Sequence, residues 1–237
     1  MPFVMLHPRL AQMLHQRCFL LFVALIVLLV AMPFVAETIH GRWLLGLFNL
    51  IVLGTAVAVV GRSRLSFTIA LLLGLPALAF QILALQSGLA GHFALTWGFA
   101  AVFYVFTLAH LLNYVLRRDL MTADKLYGAV AAYMMVAILW AFLHGVLQYF
   151  YPGAYALHGM PKPLDFGELI FFSFTALTTA GFGDITPVLI QSRFLTILEM
   201  VTGVMYVAIL IARLTGVYPV VERVKRSDSE NRRESDP

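Results

Sequence analysis

Charge is what this sequence has least of. Only 12% of its 237 residues are Asp, Glu, Lys or Arg, about half of the ~25% that soluble domains carry. With 61% hydrophobic residues and a mean hydropathy of +0.89, the chain cannot cover a water-facing surface with the polar residues it has. That excludes a soluble enzyme, a disordered chain and a nucleic-acid module. Cysteine is nearly absent too. Cys18 stands alone, forbids any intrachain disulfide and reads as a small apolar residue of a helix. The chain also lacks a Gly-x-Ser-x-Gly nucleophile motif, a His-Glu-x-x-His zinc helix and any His, Cys or carboxylate cluster with metal-ligand spacing, so no enzyme and no cofactor is expected.

What is present is long uncharged intervals. A charge at mid-bilayer costs several kcal/mol, so the gaps between charges map the spans. Cys18 to Ala36 and Trp43 to Gly61 are charge-free, and each reaches the roughly 20 residues that cross the hydrocarbon. Leu65 to Leu116 is free of Lys, Arg, Asp and Glu over 52 residues, too long for one crossing at about 1.5 Å per residue. The run breaks at Gln86-Ser87-Gly88-Leu89-Ala90-Gly91-His92, giving spans near 67–85 and 93–116. A fifth, 126–150, ends at Tyr151-Pro152-Gly153, and a sixth covers 194–217. The first run is too long for a signal peptide, and Pro33 and Phe34 stand where small cleavage-site residues belong. Pro76 is expected to kink span three.

Six spans place both termini on one side. The N-terminus, the 2–3 and 4–5 connections and the C-terminal stretch hold thirteen of the sixteen Lys and Arg, against Arg42, Lys162 and Arg193 opposite, so the termini are expected to be cytoplasmic. Glu222 to Pro237 mixes both charge signs with serine and reads as a short solvated tail.

Between spans five and six lies a segment of another kind. From Leu164, about a dozen apolar residues, too few to cross, lead into Thr178-Thr179-Ala180-Gly181-Phe182-Gly183-Asp184. The length suits a re-entrant helix. Asp165 and Glu168 fall in its first turn, where they complement the helix dipole. The glycines that follow should end the helix, and non-helical backbone at membrane depth must be buried in protein or line a water-filled path.

The run 178–184 resembles the selectivity-filter signature of potassium channels, commonly Thr-Thr-Val-Gly-Tyr-Gly-Asp. Thr122 to Ala129 before span five and Tyr206 to Leu214 late in span six are similar to bacterial ion channels with six spans. The resemblance implies an all-α transmembrane fold, with six spanning helices plus a re-entrant pore helix and filter loop. Its expected divisions are a four-helix domain over 1–118, a pore domain over 119–217 and a tail over 218–237. Within the pore domain lie an outer helix at 126–150, a pore helix and filter at 165–184 and an inner helix at 194–217. The implied assembly is a homotetramer in the bacterial inner membrane, with lipid and its own copies as partners and no nucleic acid. Potassium ions would be held by carbonyls of Thr179, Ala180, Gly181 and Phe182 and by the Thr179 hydroxyl. Thr178 and Gly183 would complete the filter and Asp184 would stand at the pore mouth. Such carbonyls replace an ion's water shell without adding fixed charge, and their alternating backbone suits Gly181 and Gly183. Phe182 would pack against the pore helix.

Two filter positions depart from the common pattern: Phe182 replaces tyrosine, and Ala180, smaller than valine, leaves open a less selective monovalent cation pore. A secondary transporter or a regulatory channel subunit are further alternatives. Glu199, deep in span six, is read as support behind the filter, and Gly203 either as a hinge or as a site of close helix packing. Arg213 is expected to snorkel to the interface, and His110 and His144 to be neutral packing residues. Span four, 93–116, carries no Lys or Arg, so little voltage dependence is expected.

Overall fold

The computed structural model describes residues 17–36, 51–52, 54–56, 64–87, 90–117 and 122–234. Its helices are α1 (Arg17–Ala36), α2 (Arg64–Ser87), α3 (Ala90–Val115), α4 (Ala123–Phe150), α5 (Phe166–Leu177) and α6 (Ile190–Glu234). The break expected after Gln86 separates α2 from α3, and Pro76 lies inside α2. Most of the expected second span, 43–61, lies outside the described residues; within it 51–52 and 54–56 are helical. Gly91–Val115, Ala123–Phe150 and Ile190–Leu214 are long and apolar enough to cross a membrane, while Cys18–Phe34, Thr68–Ala84 and Phe166–Leu177 are shorter apolar stretches. The inner helix starts earlier than its expected bound at 194 and runs on through the stretch expected as tail to Glu234.

The all-α expectation needs one correction. β1 (Tyr155–Leu157), β2 (Met160–Pro161) and β3 (Ile185–Pro187) form an antiparallel sheet in the order β2-β1-β3. Strands of two or three residues are too short to show alternation. The local cue was His158-Gly159, whose φ angles of 49° and 79° give the two-residue turn with both positions left-handed that suits a hairpin.

The core is built on α4. Thr122 caps its start by accepting from the Lys125 amide at 3.3 Å. Asp124, in the first turn, accepts from the Cys18 amide at 3.1 Å and the Tyr114 hydroxyl at 2.9 Å, which ties the beginning of α1 and the end of α3 to α4. Small residues let its neighbours come close: Ala129, Ala131, Ala132, Ala137 and Ala141 are buried, Gly128 faces Cys18 and Val115, and Gly145 lies under the Trp97 ring. A Cβ at Gly145 would lie 2.6 Å from that ring. Lipid tails are as apolar as leucine, so such close packing, more than a hydrophobic drive, holds the helices together.

One buried group is left over. The Tyr104 hydroxyl, fully buried in α3 with its ring against Phe142, has no hydrogen-bond partner among the described residues. An unmade buried hydrogen bond costs about 1–3 kcal/mol. Tyr104→Phe is therefore expected to leave the fold intact and raise the thermal unfolding midpoint of the purified protein. A lower midpoint would show that the hydroxyl is satisfied.

Candidate functional site

The short helix α5 is fixed at both ends. Asp165 accepts from the Glu168 amide at 2.8 Å while the Glu168 carboxylate accepts from the Asp165 amide at 2.9 Å, a capping box. Such a cap stabilises a helix start by about 1 kcal/mol; of the two carboxylates expected in the first turn, Glu168 lies there and Asp165 is the capping residue before it. Lys162 donates to Glu168 at 2.7 Å, which raises the pKa of its exposed ammonium. Just upstream, the Gln148 amide of α4 clips the Leu164 backbone, donating to its carbonyl and accepting from its amide, each at 2.9 Å.

At its carboxyl end α5 turns into the predicted filter. The amides of Thr179, Ala180 and Gly181 fold back onto the helix, donating to the Ala176 carbonyl at 2.9 Å and the Thr175 carbonyl at 2.8 and 3.2 Å. The Thr178 hydroxyl bonds the Phe174 carbonyl at 2.7 Å. Thr179, Gly181 and Gly183 have φ of 58°, 50° and 84°, and the residues between them do not. Sequence reasoning named the two glycines but missed Thr179, because a threonine gives no sign of a left-handed backbone. In a strand of uniform φ sign successive carbonyls alternate sides; alternating the sign turns them toward a common side. Among the described residues, no carbonyl of Thr179, Ala180, Gly181 or Phe182 accepts a hydrogen bond, and the Thr179 hydroxyl makes none. Residues 178–183 are exposed in the single chain. This is a row of uncharged oxygens able to coordinate a dehydrated cation.

Beyond Gly183, the Asp184 carbonyl accepts from the His158 amide at 2.8 Å, and β3 pairs with β1, so the outgoing strand is anchored to the hairpin. The Phe182 ring stacks on Phe171 of α5 at 6.0 Å, the pore-helix contact expected of it.

The inner helix docks on α5 through two matched positions one turn apart. Ser173 of α5 meets Glu199 of α6, and Leu177 meets Gly203. A Cβ at Gly203 would lie 2.0 Å from the Leu177 carbonyl oxygen, so the glycine answers a need for close packing, while α6 continues through it without a break. The same carbonyl accepts from the Tyr133 hydroxyl of α4 at 3.4 Å, and Tyr206 of α6 donates to the Ala129 carbonyl at 2.6 Å.

Glu199 is fully buried and hydrogen-bonded to the Ser173 hydroxyl and, at 2.8 Å, to His144 Nε2. His144 Nδ1 lies 2.6 Å from the Tyr155 hydroxyl of β1, and Ser173 donates to the Ala137 carbonyl at 2.5 Å. Burial pushes the Tyr155 phenol up from its ordinary pKa, so it stays a donor. The reading of His144 as a packing residue is thus corrected: it is the middle of a buried polar network, which no sequence spacing between residues 55 positions apart could reveal. His110 bonds the Phe106 carbonyl one turn back at 3.0 Å and packs on the Phe106 ring. Arg213 does more than anchor at the interface, because its guanidinium donates to the Arg117 carbonyl in the connection between α3 and α4.

A family model described as ion channel matches residues 135–218, from the middle of α4 into α6. That segment is similar to an ion-channel pore module. Over 164 residues, 68% of its length, the chain is 26% identical to the voltage-gated potassium channel Kch of Escherichia coli (strain K12), and it spans only 34% of that protein's length. No solved structure matches the chain.

The approach of α6 to α5 generates a direct test. Gly203→Ala forces a methyl group against backbone that cannot yield, an overpacking worth about 1–3 kcal/mol, and should lower the thermal midpoint of the detergent-solubilised protein. Gly98→Ala, where a Cβ meets nothing within 4 Å, is the control. Equal midpoints for the two variants would contradict the close approach.

Proposed function

We propose that this chain is the subunit of a potassium-selective channel, in which four copies set their 178–183 segments around one axis in the bacterial inner membrane. The observation that carries this reading is the row of unpaired carbonyls from Thr179 to Phe182, with φ alternating in sign from Thr179 to Gly183. One chain supplies one wall of an ion path. Alone, it would leave this backbone bare at membrane depth, where each unsatisfied group costs several kcal/mol. The packing of α6 supports the same need for further copies: 61% of the apolar stretch of α4 is buried within the chain, but only 17% of that of α6. Thr178 and Gly183 bound the filter, and Asp184 draws cations to its mouth. Glu199 supports it from behind, and Gly203 permits the inner helix to dock, with bending there a further role. The asymmetry of lysine and arginine supports cytoplasmic termini. The name of the Escherichia coli relative contains a potassium channel, which favours potassium as the permeant ion. Ala180 carries the second reading, a less selective monovalent cation pore, because its small side chain braces the filter less than a branched one.

Purified protein in potassium-loaded liposomes is expected to pass a barium-sensitive potassium flux that Gly181→Ala abolishes, since φ there is left-handed. Equal sodium and potassium permeability under bi-ionic conditions would select the second reading, and no cation flux would end both.

The relative is called voltage-gated, yet α3 of this chain, Ala90–Val115, contains no lysine or arginine. Planar-bilayer recordings should therefore show open probability changing only shallowly with voltage; steep activation requiring several charges per subunit would refute this.

A further inference from the structure

The buried network behind the filter has a proton count that its geometry dictates. Tyr155 is 1% exposed, and among the described residues its hydroxyl has His144 Nδ1 as its only hydrogen-bond partner. The phenol proton therefore goes to Nδ1, since turning the bond around would leave a buried O–H with no acceptor. An imidazole whose Nδ1 accepts carries its proton on Nε2, and that proton points at Glu199 Oε2, 2.8 Å away. His144 is then neutral.

Ser173 supplies the other half of the count. Its single proton has two oxygen neighbours within bonding reach, the Ala137 carbonyl at 2.5 Å and Glu199 Oε1. A carbonyl has no proton to give, so contact this close requires the serine proton to lie between Oγ and Ala137. Oγ then presents a lone pair to Glu199 Oε1, which fits only if Oε1 bears a hydrogen. A carboxylate would set two lone pairs against each other, in a fully buried site facing a neutral imidazole. Among the described residues no lysine or arginine pairs with Glu199, and the rings beside His144 and Tyr155 are uncharged, Phe172 against both and Trp140 against His144. A buried charge without a counter-ion costs several kcal/mol.

We infer that Glu199 is a neutral carboxylic acid and the middle link of a one-way chain of donors running Tyr155, His144, Glu199, Ser173 to the Ala137 carbonyl, a chain that positions the pore helix against the extracellular hairpin, the outer helix and the inner helix. Every donor in it has one acceptor, and the chain carries no net charge beside the ion path. Glu199 and His144 are positioning residues: they touch no ion and act through Ser173, one turn before the Leu177 carbonyl and the filter.

This inference rests on the channel reading only for its consequence in flux. The proton itself is read by infrared spectroscopy of the purified full-length protein at neutral pH, where native protein should show a protonated-carboxyl stretch that Glu199→Gln removes. Glutamine reproduces the acid's pattern, donating to Ser173 and accepting from His144. Glu199→Gln should therefore keep its thermal midpoint near the native value and its potassium flux in liposomes within about twofold, since one such factor is well under the tenfold of ~1.4 kcal/mol. Glu199→Ala should lose both. The absence of the carboxyl band, or a Glu199→Gln protein as impaired as Glu199→Ala, would overturn the proposal. Should native protein carry no potassium flux, the channel reading fails, and the band and the thermal midpoints still decide the protonation of Glu199.

Discussion

A backbone that leaves the helix inside a membrane must account for each of its N–H and C=O groups, and this constraint organises the pore half of the chain. The segment 178–183 meets it unequally. Its first amides are spent on the carboxyl end of α5, at Ala176 and Thr175, while its carbonyls from Thr179 to Phe182 are spared. The asymmetry is the chemistry: a peptide chain with its donors used and its acceptors free is a ligand for cations. Leaving acceptors free is costly without an ion or water to fill them. The surroundings therefore hold the segment from several sides, by the capping box at Asp165, the Gln148 clip on Leu164, and the pairing of β3 with β1.

How much of this was legible in sequence depends on the range of the signal. Span positions follow from the spacing of charges, because the bilayer penalises each charge locally and without reference to the fold. The limits of α1, α2, α3 and α4 accordingly fall within a few residues of expectation. The backbone of the 178–184 run was legible because glycine at alternate positions is a local steric requirement, and Gly181 and Gly183 have the positive φ that this argument asked for. The three-stranded sheet was not, since β3 is held by pairing with β1 across some 30 residues and strands this short carry no pattern of their own. Nor was the role of His144. Its importance comes from Glu199 and Tyr155 meeting its two ring nitrogens from two other elements, and a histidine on an apolar helix looks the same whether it packs or bonds.

The two halves of the chain divide the labour of stability differently. Around α4, small residues bring α1, α3 and α5 close, and Asp124 adds fixed polar joints at one end. The inner helix has little of this. It touches the rest through Glu199, Gly203 and Tyr206 on one face, leaving residues such as Phe194, Leu198, Val201 and Met205 exposed on others. A helix attached by a single face is suited to meeting copies of itself, and to being displaced at its far end without disturbing the filter.

At that far end the Arg213 guanidinium reaches the Arg117 carbonyl, which belongs to the short connection from α3 to α4. A carbonyl at the end of a helix carries part of the negative end of the dipole, so a guanidinium is a favourable partner there. The bond joins α6 to the connection between α3 and α4 without using any charge in α3. The scarcity of charge that first set this sequence apart is thus compatible with a joint between its halves: Arg213 lies at the last turn of the apolar stretch Ile190–Leu214, where a long charged side chain can keep contact with water.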